Sequence, residues 1–195
     1  MPKAVAAKKP SASSTLSLKI TLLRTKPPIW RRILVPASMT LAELHEAIQA
    51  VMGWYDSHLH AFDLGGTQYG DPDTMEDVEN ERRVTLVSII KMGATKFRYT
   101  YDFGDDWEHE IVIEKPPPAN PAQPLPVCIA GKRNAPPEDC GGPWGYEEML
   151  AILADPAHPE HGDKQDWLGA PFDPEAFSVA DADAELAEAF GRKPA

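Results

Sequence analysis

Two predicted strands at the start of the chain, followed by a helix, constrain its fold more than any other feature. Apolar residues alternate with polar ones over 16–22, Pro27 and Pro28 interrupt the chain, and a second strand follows over 29–35, with Trp30, Arg32 and Leu34 on the face opposite to Ile29, Arg31, Ile33 and Val35. A period of two is typical of strands that bury one face. The chain is therefore expected to begin with two strands.

The segment that follows carries the strongest helix signal in the sequence. Thr40 is a favourable N-cap, Glu43 stands three residues later as in a capping box, and Gly53 supplies a stop. One face of this predicted helix collects the apolar residues Leu41, Leu44, Ile48, Val51 and Met52. The order strand, strand, helix predicts a sheet covered by a helix, similar to the start of a β-grasp fold.

Further strands are predicted in the middle of the chain. Residues 58–64 predict a third strand, and 96–102 with 107–115 predict a hairpin around a glycine-containing turn. The acidic stretch 70–82 lacks periodicity and is expected to form a surface loop, whereas 84–90 predicts a short helix. The fold class is therefore α+β, with a β-grasp-like mixed sheet of about five strands.

Proline marks a change of character near the centre of the chain. Six of the twelve residues over 115–126 are proline, which predicts an extended strap. Beyond it, 128–142 is expected to be a loop, and three candidate helices follow at 146–153, 158–167 and 182–190.

These patterns divide the chain into four parts. Residues 1–15 are small, polar and rich in lysine and proline, and are expected to form a disordered basic tail. Residues 16–115 form the predicted α+β sheet core, and 116–127 the Pro-rich strap. Residues 128–195 are expected to form a loop and helical section packed on the core.

The distribution of charge excludes some functions. The net charge is −11, yet the first 42 residues hold eight lysines and arginines and no acid. The acidic remainder repels phosphate backbones, so nonspecific nucleic-acid binding by the folded body is not expected. No apolar run reaches the ~18 residues of a membrane span and no secretory signal is recognised, so we expect a cytoplasmic protein.

Histidine and aspartate side chains form the first candidate site. His58 and His60 share one face of the predicted third strand, and His109 shares a face of the hairpin with large apolar residues. If both strands belong to one sheet, the three imidazoles converge, with Asp102 and Asp106 at the near end of the hairpin. Imidazoles with a carboxylate suit zinc or another divalent transition metal.

In an alternative interpretation, the same histidines are core residues that bind no metal. A buried neutral imidazole can donate one hydrogen bond and accept another, which satisfies it inside a core. A metal with an open coordination position would instead activate water for hydrolysis, although nothing in the sequence identifies a substrate.

The two cysteines leave three interpretations open. Cys128 and Cys140 are too few for a disulfide scaffold, and their spacing fits no zinc-finger pattern. They could hold zinc with a histidine, form a disulfide, or pack as small apolar groups. Packing is preferred, because a disulfide is disfavoured in a cytoplasmic protein.

The string PPEDCGGPWGY forms the second candidate site. Its prolines stiffen the chain, its paired glycines permit unusual backbone angles, and Pro143 suits the first turn of a helix. It lacks the Lys-Ser/Thr ending of a phosphate loop. It is either a rigid entry into a helix or a recognition loop, and the candidate binding residues are Glu138, Asp139, Cys140, Trp144 and Tyr146.

Several strings resemble one known family. PPIWRRILVPASMTLAELHEAIQAVMGW, YTYDFGDDWEHEIVIEK and PPEDCGGPWGY resemble the plasmid pRiA4b Orf-3-like family, and the likeness extends over about residues 16–179. The resemblance implies an α+β fold and no agreed biochemical activity, and such proteins often lie beside transposase, integrase or plasmid genes. Many relatives carry a cysteine where this chain has Ala135, so a zinc site there would lack one ligand.

Two functions follow from these observations. The preferred one is a non-catalytic binding or accessory protein associated with mobile genetic elements, with an unidentified protein or small ligand as its partner. Its groove is expected between the 58–64 strand, the 97–113 hairpin and the 128–146 loop. The alternative is a divalent-metal-dependent, hydrolase-like enzyme that uses the histidine and aspartate cluster, with zinc as the candidate cofactor.

Overall fold

A computed structural model describes residues 11, 14–118, 120 and 123–193 of the chain. Most of the predicted basic tail lies outside these residues. In chain order, the strands are β1 Thr15–Leu22, β2 Ile29–Pro36, β3 His60–Leu64, β4 Thr67–Gly70, β5 Glu79–Asn80, β6 Lys96–Tyr101, β7 Trp107–Glu114 and β8 Val127–Lys132. The helices are α1 Leu41–Met52, α2 Leu86–Lys91, α3 Gly142–Ala154, α4 His161–Leu168 and α5 Val179–Ala189, and a 3-10 turn spans Glu81–Arg83.

All eight strands form one sheet in the order β5-β4-β3-β6-β7-β1-β2-β8. The β4–β5 pair is parallel and the other neighbouring pairs are antiparallel, so the sheet is mixed. The α+β class is confirmed, and the comparison with the β-grasp fold stays a prediction. No helix of the described part of the chain has both the length and the apolar character needed to cross a bilayer.

Helix α1 begins and ends as its sequence predicts. The Thr40 hydroxyl accepts a hydrogen bond from the Glu43 amide at 3.2 Å, and the Glu43 carboxylate accepts one from the Thr40 amide at 2.7 Å. Gly53 closes the helix with a φ of 75°. The two reciprocal bonds satisfy donors that would otherwise have no partner in the first turn.

Buried Arg31 fixes the far end of α1 to the sheet. Its Nε donates to the Val51 carbonyl at 2.8 Å, and its Nη1 donates to the Lys132 carbonyl at 3.1 Å. The guanidinium also lies 4.1 Å from the Phe177 ring centroid. One side chain therefore joins β2, α1, β8 and the segment before α5, and burial lowers its pKa to about 10.

The sheet extends beyond the predicted five strands at both edges. Residues 128–132, expected to be a loop, belong to β8, which pairs with β2 and is covered by α5. The acidic stretch 70–82 contributes β5. Periodicity does not detect these two strands, because the sequence of β8 does not alternate and β5 is only two residues long.

Candidate functional site

An open cleft of about 540 Å³ lies beside the end of α1. Residues 52–57 form one wall and residues 134–139 form another, while Trp167, Leu168 and Phe172 complete the lining. The Trp54 indole donates to the Pro136 carbonyl at 2.9 Å and ties the first two walls together. A cleft of this size is large enough for a small molecule or a few residues of a peptide.

The loop of the second candidate site is held against the turn between β6 and β7. The Gly141 amide donates to Asp105 Oδ2 at 3.1 Å. A Cβ atom on Gly142 would lie 2.3 Å from the Asp105 carbonyl oxygen, and one on Gly145 would lie 2.1 Å from the Cys140 carbonyl oxygen. Real Cβ atoms do not approach so closely, so both positions require glycine, and this explains the unusual GGPWG string.

This contact brings members of both candidate sites together. His58 Nε2 lies 3.1 Å from Asp139 Oδ1 and 3.7 Å from Asp102 Oδ2. Asp102 is nearly buried, Asp139 is exposed, and His58 lies between them in exposure. The His58–Asp102–Asp139 cluster thus joins two predicted metal ligands to one residue of the predicted recognition loop.

The end of β6 orients Asp102 for this position. Its backbone has a φ of 56°, and its Oδ1 accepts from the amides of Gly104 at 2.9 Å and Asp105 at 3.3 Å. Oδ1 is thereby used to close the turn. Oδ2 is left to face His58.

Tyr101 and Glu138 form a second polar contact at the same place. The Tyr101 hydroxyl makes a short hydrogen bond to Glu138 Oε1, and it accepts one from the Ser57 amide at 2.9 Å. The Tyr55 amide donates to the other Glu138 oxygen at 3.2 Å. Burial and the adjacent carboxylate raise the pKa of Tyr101, so its hydroxyl stays protonated and acts as a donor.

The ligand atoms of the His58–Asp102–Asp139 cluster lie close enough together to hold a divalent metal ion. Its three candidate ligand atoms all lie within 4.8 Å of one another. Two ligand atoms of a tetrahedral zinc ion lie about 3.4 Å apart when each bond is about 2.1 Å long. The separations of 3.1 and 3.7 Å bracket that value. One imidazole and two carboxylates suit zinc or manganese.

His60 does not join this cluster. Its ring stacks on that of His45, with centroids 3.4 Å apart, and its Nε2 lies 2.9 Å from Glu81 Oε2. His45 in turn binds Asp56 through Nε2 and the Tyr99 hydroxyl through Nδ1, each at 2.8 Å. His45, Asp56 and Glu81 were not among the predicted site residues. Glu81 was not singled out because it belongs to the acidic stretch 70–82, which is predicted to be a surface loop. His45 was not singled out because it lies on the apolar face of α1.

His109 and Asp106 lie apart from both groups. His109 is fully buried on β7 opposite Tyr99, and its Nδ1 bonds to the Trp107 carbonyl at 2.9 Å. Burial lowers its pKa to about 4, so it is a neutral core residue. Asp106 pairs with Arg24 at 2.8 Å on the outside of the hairpin. The five predicted metal ligands therefore occupy four different surroundings.

The remaining residues of the predicted recognition loop also lie in different surroundings. Cys140 is buried, and so is Cys128; both are free thiols that pack in the core. Tyr146 is buried, whereas Trp144 is exposed, and the Arg24 guanidinium lies 6.0 Å from the centroid of its ring. Neither aromatic residue lines the cleft. The loop reaches the cleft through Glu138 and Asp139.

The fold and the cleft define an α+β protein in which connections at one end of a mixed sheet bring His58, Asp102 and Asp139 together beside the cleft. The chain belongs to the plasmid pRiA4b ORF-3-like protein family, whose model matches residues 14–181. It is 43% identical over 161 residues to the uncharacterized protein y4hQ of Sinorhizobium fredii, covering 81% of this chain and 82% of that one. It is also similar to the crystal structure of MM3350, a protein of unknown function from Methanosarcina mazei Go1. That match has a TM-score of 0.79 and 42% identity, and covers 86% of this chain and 96% of the other.

Proposed function

We propose that the protein is a non-catalytic accessory protein whose cleft holds a basic, partly apolar segment of a partner protein. The observation that carries this proposal is the lining of the cleft. Aromatic and aliphatic side chains stand beside Glu138 and Asp139, and no lysine or arginine is among the described residues that line it. Such a lining complements a lysine or arginine next to an apolar residue.

Tyr55 supplies the exposed part of the recognition surface. Its side chain is 85% exposed, although the amide of the same residue is fixed by Glu138. A large exposed aromatic ring on a fixed backbone is a typical anchor for a partner. Its position beside two carboxylates also favours a cation placed over the ring.

The overall charge of the chain favours the same class of partner. Beyond the first 42 residues the chain holds 30 acids and 11 bases, so it attracts basic proteins and repels nucleic acid. Proteins that bind the DNA of mobile genetic elements carry basic segments of this kind. The association with such elements is part of the proposal and rests on the family resemblance.

Peptide binding tests this function directly. A fluorescent peptide that alternates lysine or arginine with leucine should bind the full chain, and binding should weaken with added salt because the contact is charged. Asp139→Asn removes one charge and keeps the left-handed backbone of that position, which asparagine tolerates. Tyr55→Ala removes the exposed ring. Each substitution should weaken binding about tenfold or more.

Matched substitutions outside the cleft serve as controls. Glu188→Gln removes a charge from the exposed face of α5, and Trp144→Ala removes an exposed ring, and both should leave peptide affinity unchanged. Equal weakening by the control and the cleft variants would mean that the peptide responds to net charge alone. That outcome would overturn the proposed site.

A second candidate function is a divalent-metal-dependent, hydrolase-like enzyme. The observation that favours it is the approach of His58 Nε2 to carboxylate oxygens of Asp102 and Asp139. A divalent ion bound there would lower the pKa of a bound water. The three side chains would hold the ion, and Tyr101 would remain protonated beside it.

Calorimetric titration with zinc and with manganese separates the two candidates. If the protein is the metal-dependent enzyme, one ion binds per chain, and His58→Ala abolishes the binding while His158→Ala preserves it. If it is the accessory protein, neither metal binds stoichiometrically and a chelator leaves the melting temperature unchanged. Metal binding that survives His58→Ala would exclude the cluster as the site.

A further inference from the structure

We infer that the partner segment proposed above ends in a pocket next to the cleft, where Arg31 binds its C-terminal carboxylate. This inference rests on the proposed function and goes further, because it identifies which part of a partner chain is bound. The pocket has a volume of about 510 Å³ and lies between the end of α1 and the start of α5. Met52, Gly53 and Asn134 line both the pocket and the cleft, so a bound segment can pass from one to the other.

A buried charge without a counter-ion carries this inference. Arg31 is only 2% exposed, and it makes no ion pair with any residue that the structure describes. Although burial lowers its pKa to about 10, the guanidinium remains charged at neutral pH. Buried charges in proteins are ordinarily paired, because an ion without a partner in the interior is costly. A carboxylate bound in the pocket would supply the missing negative charge.

One nitrogen of Arg31 remains available to a ligand. Nε and Nη1 donate to the carbonyls of Val51, Trp30 and Lys132 at 2.8, 3.0 and 3.1 Å. Nη2 has no hydrogen-bond partner within the described part of the chain, and it is not one of the unpartnered atoms that are closed off from solvent. Since Arg31 lines the pocket, an oxygen there can accept a charge-assisted hydrogen bond from Nη2.

The guanidinium is held in place before a ligand binds. Its hydrogen bonds to three carbonyls fix its position, and its central carbon lies 4.1 Å from the centroid of the Phe177 ring. Phe177 also lines the pocket and offers an apolar surface to the last side chain of a bound segment. A donor that is already fixed loses little conformational entropy on binding, so even one such contact favours a carboxylate.

The acidic residues around the pocket indicate a chain terminus as the source of that carboxylate. Asp181 and Glu185 are exposed residues of α5 that line the pocket. Together with Glu138 and Asp139 of the cleft, they repel acidic side chains of a partner and attract lysine or arginine. A basic segment without acidic side chains brings a carboxylate to Arg31 through its C-terminal end, and capture of a terminal carboxylate is an established mode of peptide recognition.

Two forms of one peptide test the inference. The fluorescent peptide that alternates lysine with leucine is prepared with a free C-terminal carboxylate and with a C-terminal amide. We expect the free acid to bind the full chain about tenfold more tightly, because only this form satisfies Arg31. Attraction by net charge alone predicts the reverse order, since the amide carries one more positive charge. Tighter binding of the amide would overturn the inference.

The same titrations distinguish failure of this inference from failure of the proposed function. Equal binding of both forms, weakened by Tyr55→Ala, would preserve the cleft as a peptide site and overturn the role of the terminal carboxylate. Absence of binding by both forms would overturn both proposals. An amidated peptide with glutamate as its last residue should bind as weakly as the simple amide. Tight binding of that peptide would show that a side-chain carboxylate is recognised instead of the chain terminus.

A variant that fills the pocket separates ligand binding by Arg31 from its part in the fold. Ala176→Phe places a large ring at an exposed position of the pocket and should abolish the preference for the free acid. Ala184→Phe adds the same ring to an exposed position of α5 outside the pocket and should retain the preference. Arg31→Lys should also lose it, with the melting temperature as the check on folding, and Ala176→Phe decides if this variant does not fold. A preference that persists in Ala176→Phe would overturn the inference.

Discussion

The imidazole rings of His45 and His60 stack face to face, with centroids 3.4 Å apart and planes only 5° from parallel. The lone pair of a ring nitrogen lies in the plane of its ring. An ion shared by two rings stacked in this way would therefore lie well out of both planes, where neither nitrogen coordinates well. Although His45, Asp56 and His60 lie close enough to hold a metal, their arrangement is that of a hydrogen-bonded support between α1 and β3.

Removal of His60 should destabilise the protein, because the Glu81 carboxylate would remain buried without the imidazole it pairs with. Glu81 is almost completely buried, and His60→Ala takes away its 2.9 Å partner. We expect the free energy of unfolding in urea to fall by about 2–3 kcal/mol, since an unpaired buried charge is left. The double variant with Glu81→Gln should recover part of the loss. Additive losses in the double variant would contradict a direct pairing.

Two buried histidines should make the protein less stable in acid. Burial lowers the pKa of His109 to about 4, and burial together with His60 lowers the pKa of His45 to about 4, against an ordinary value of 6.5. Between these values the unfolded chain binds more protons than the folded chain, so stability rises with pH. This stability is fully present above pH 6.5 and is lost as the pH falls toward 4.

Chemical unfolding at several pH values measures this effect. Each histidine contributes a slope of at most about 1.4 kcal/mol per pH unit over that window. His109→Phe should remove one of the two slopes. An unchanged slope in His109→Phe would mean that its imidazole is not the group that titrates.

The fold could be predicted where local chemistry decides it. The Thr40 and Glu43 cap and the alternation in β1 are local patterns, and the structure confirms both. Strand β8 was missed because the sequence of Val127–Lys132 does not alternate, and its pairing with β2 is a contact between distant segments. A two-residue strand such as Glu79–Asn80 has no detectable period.

The candidate site was only partly visible in the sequence for a related reason. Alternation correctly places His60 and His109 on one face of the sheet, since each lies opposite a tyrosine of β6. It cannot show that His60 pairs with Glu81, which the chain brings in through a 3-10 turn. Nor can it show that the loop at Asp139 folds back onto His58, because that contact depends on the close approach of Gly142 to Asp105.

Glycine at position 145 should be essential for the loop that carries Glu138 and Asp139. Gly145→Ala would place a methyl group 2.1 Å from the Cys140 carbonyl oxygen, so the backbone must shift. We expect a loss of about 1–3 kcal/mol in unfolding free energy, together with weaker peptide binding in the cleft. Gly162→Ala is the matched control, because that Cβ would have no atom within 4 Å. Equal stability of the two variants would show that the loop can relax without cost.

Both cysteines should resist thiol reagents while the protein is folded. Burial raises the pKa of Cys128 to about 11 and that of Cys140 to about 12, so the reactive thiolate is scarce at pH 8. With a disulfide-exchange reagent we expect labelling at least ~100-fold slower in the native protein than in urea, where an ordinary thiol pKa of ~8.5 is restored. Cys128→Ala and Cys140→Ala assign the two rates separately. Rapid labelling of either thiol without urea would show that the core around β8 or the loop before α3 opens readily, and it would contradict their role as packed apolar groups.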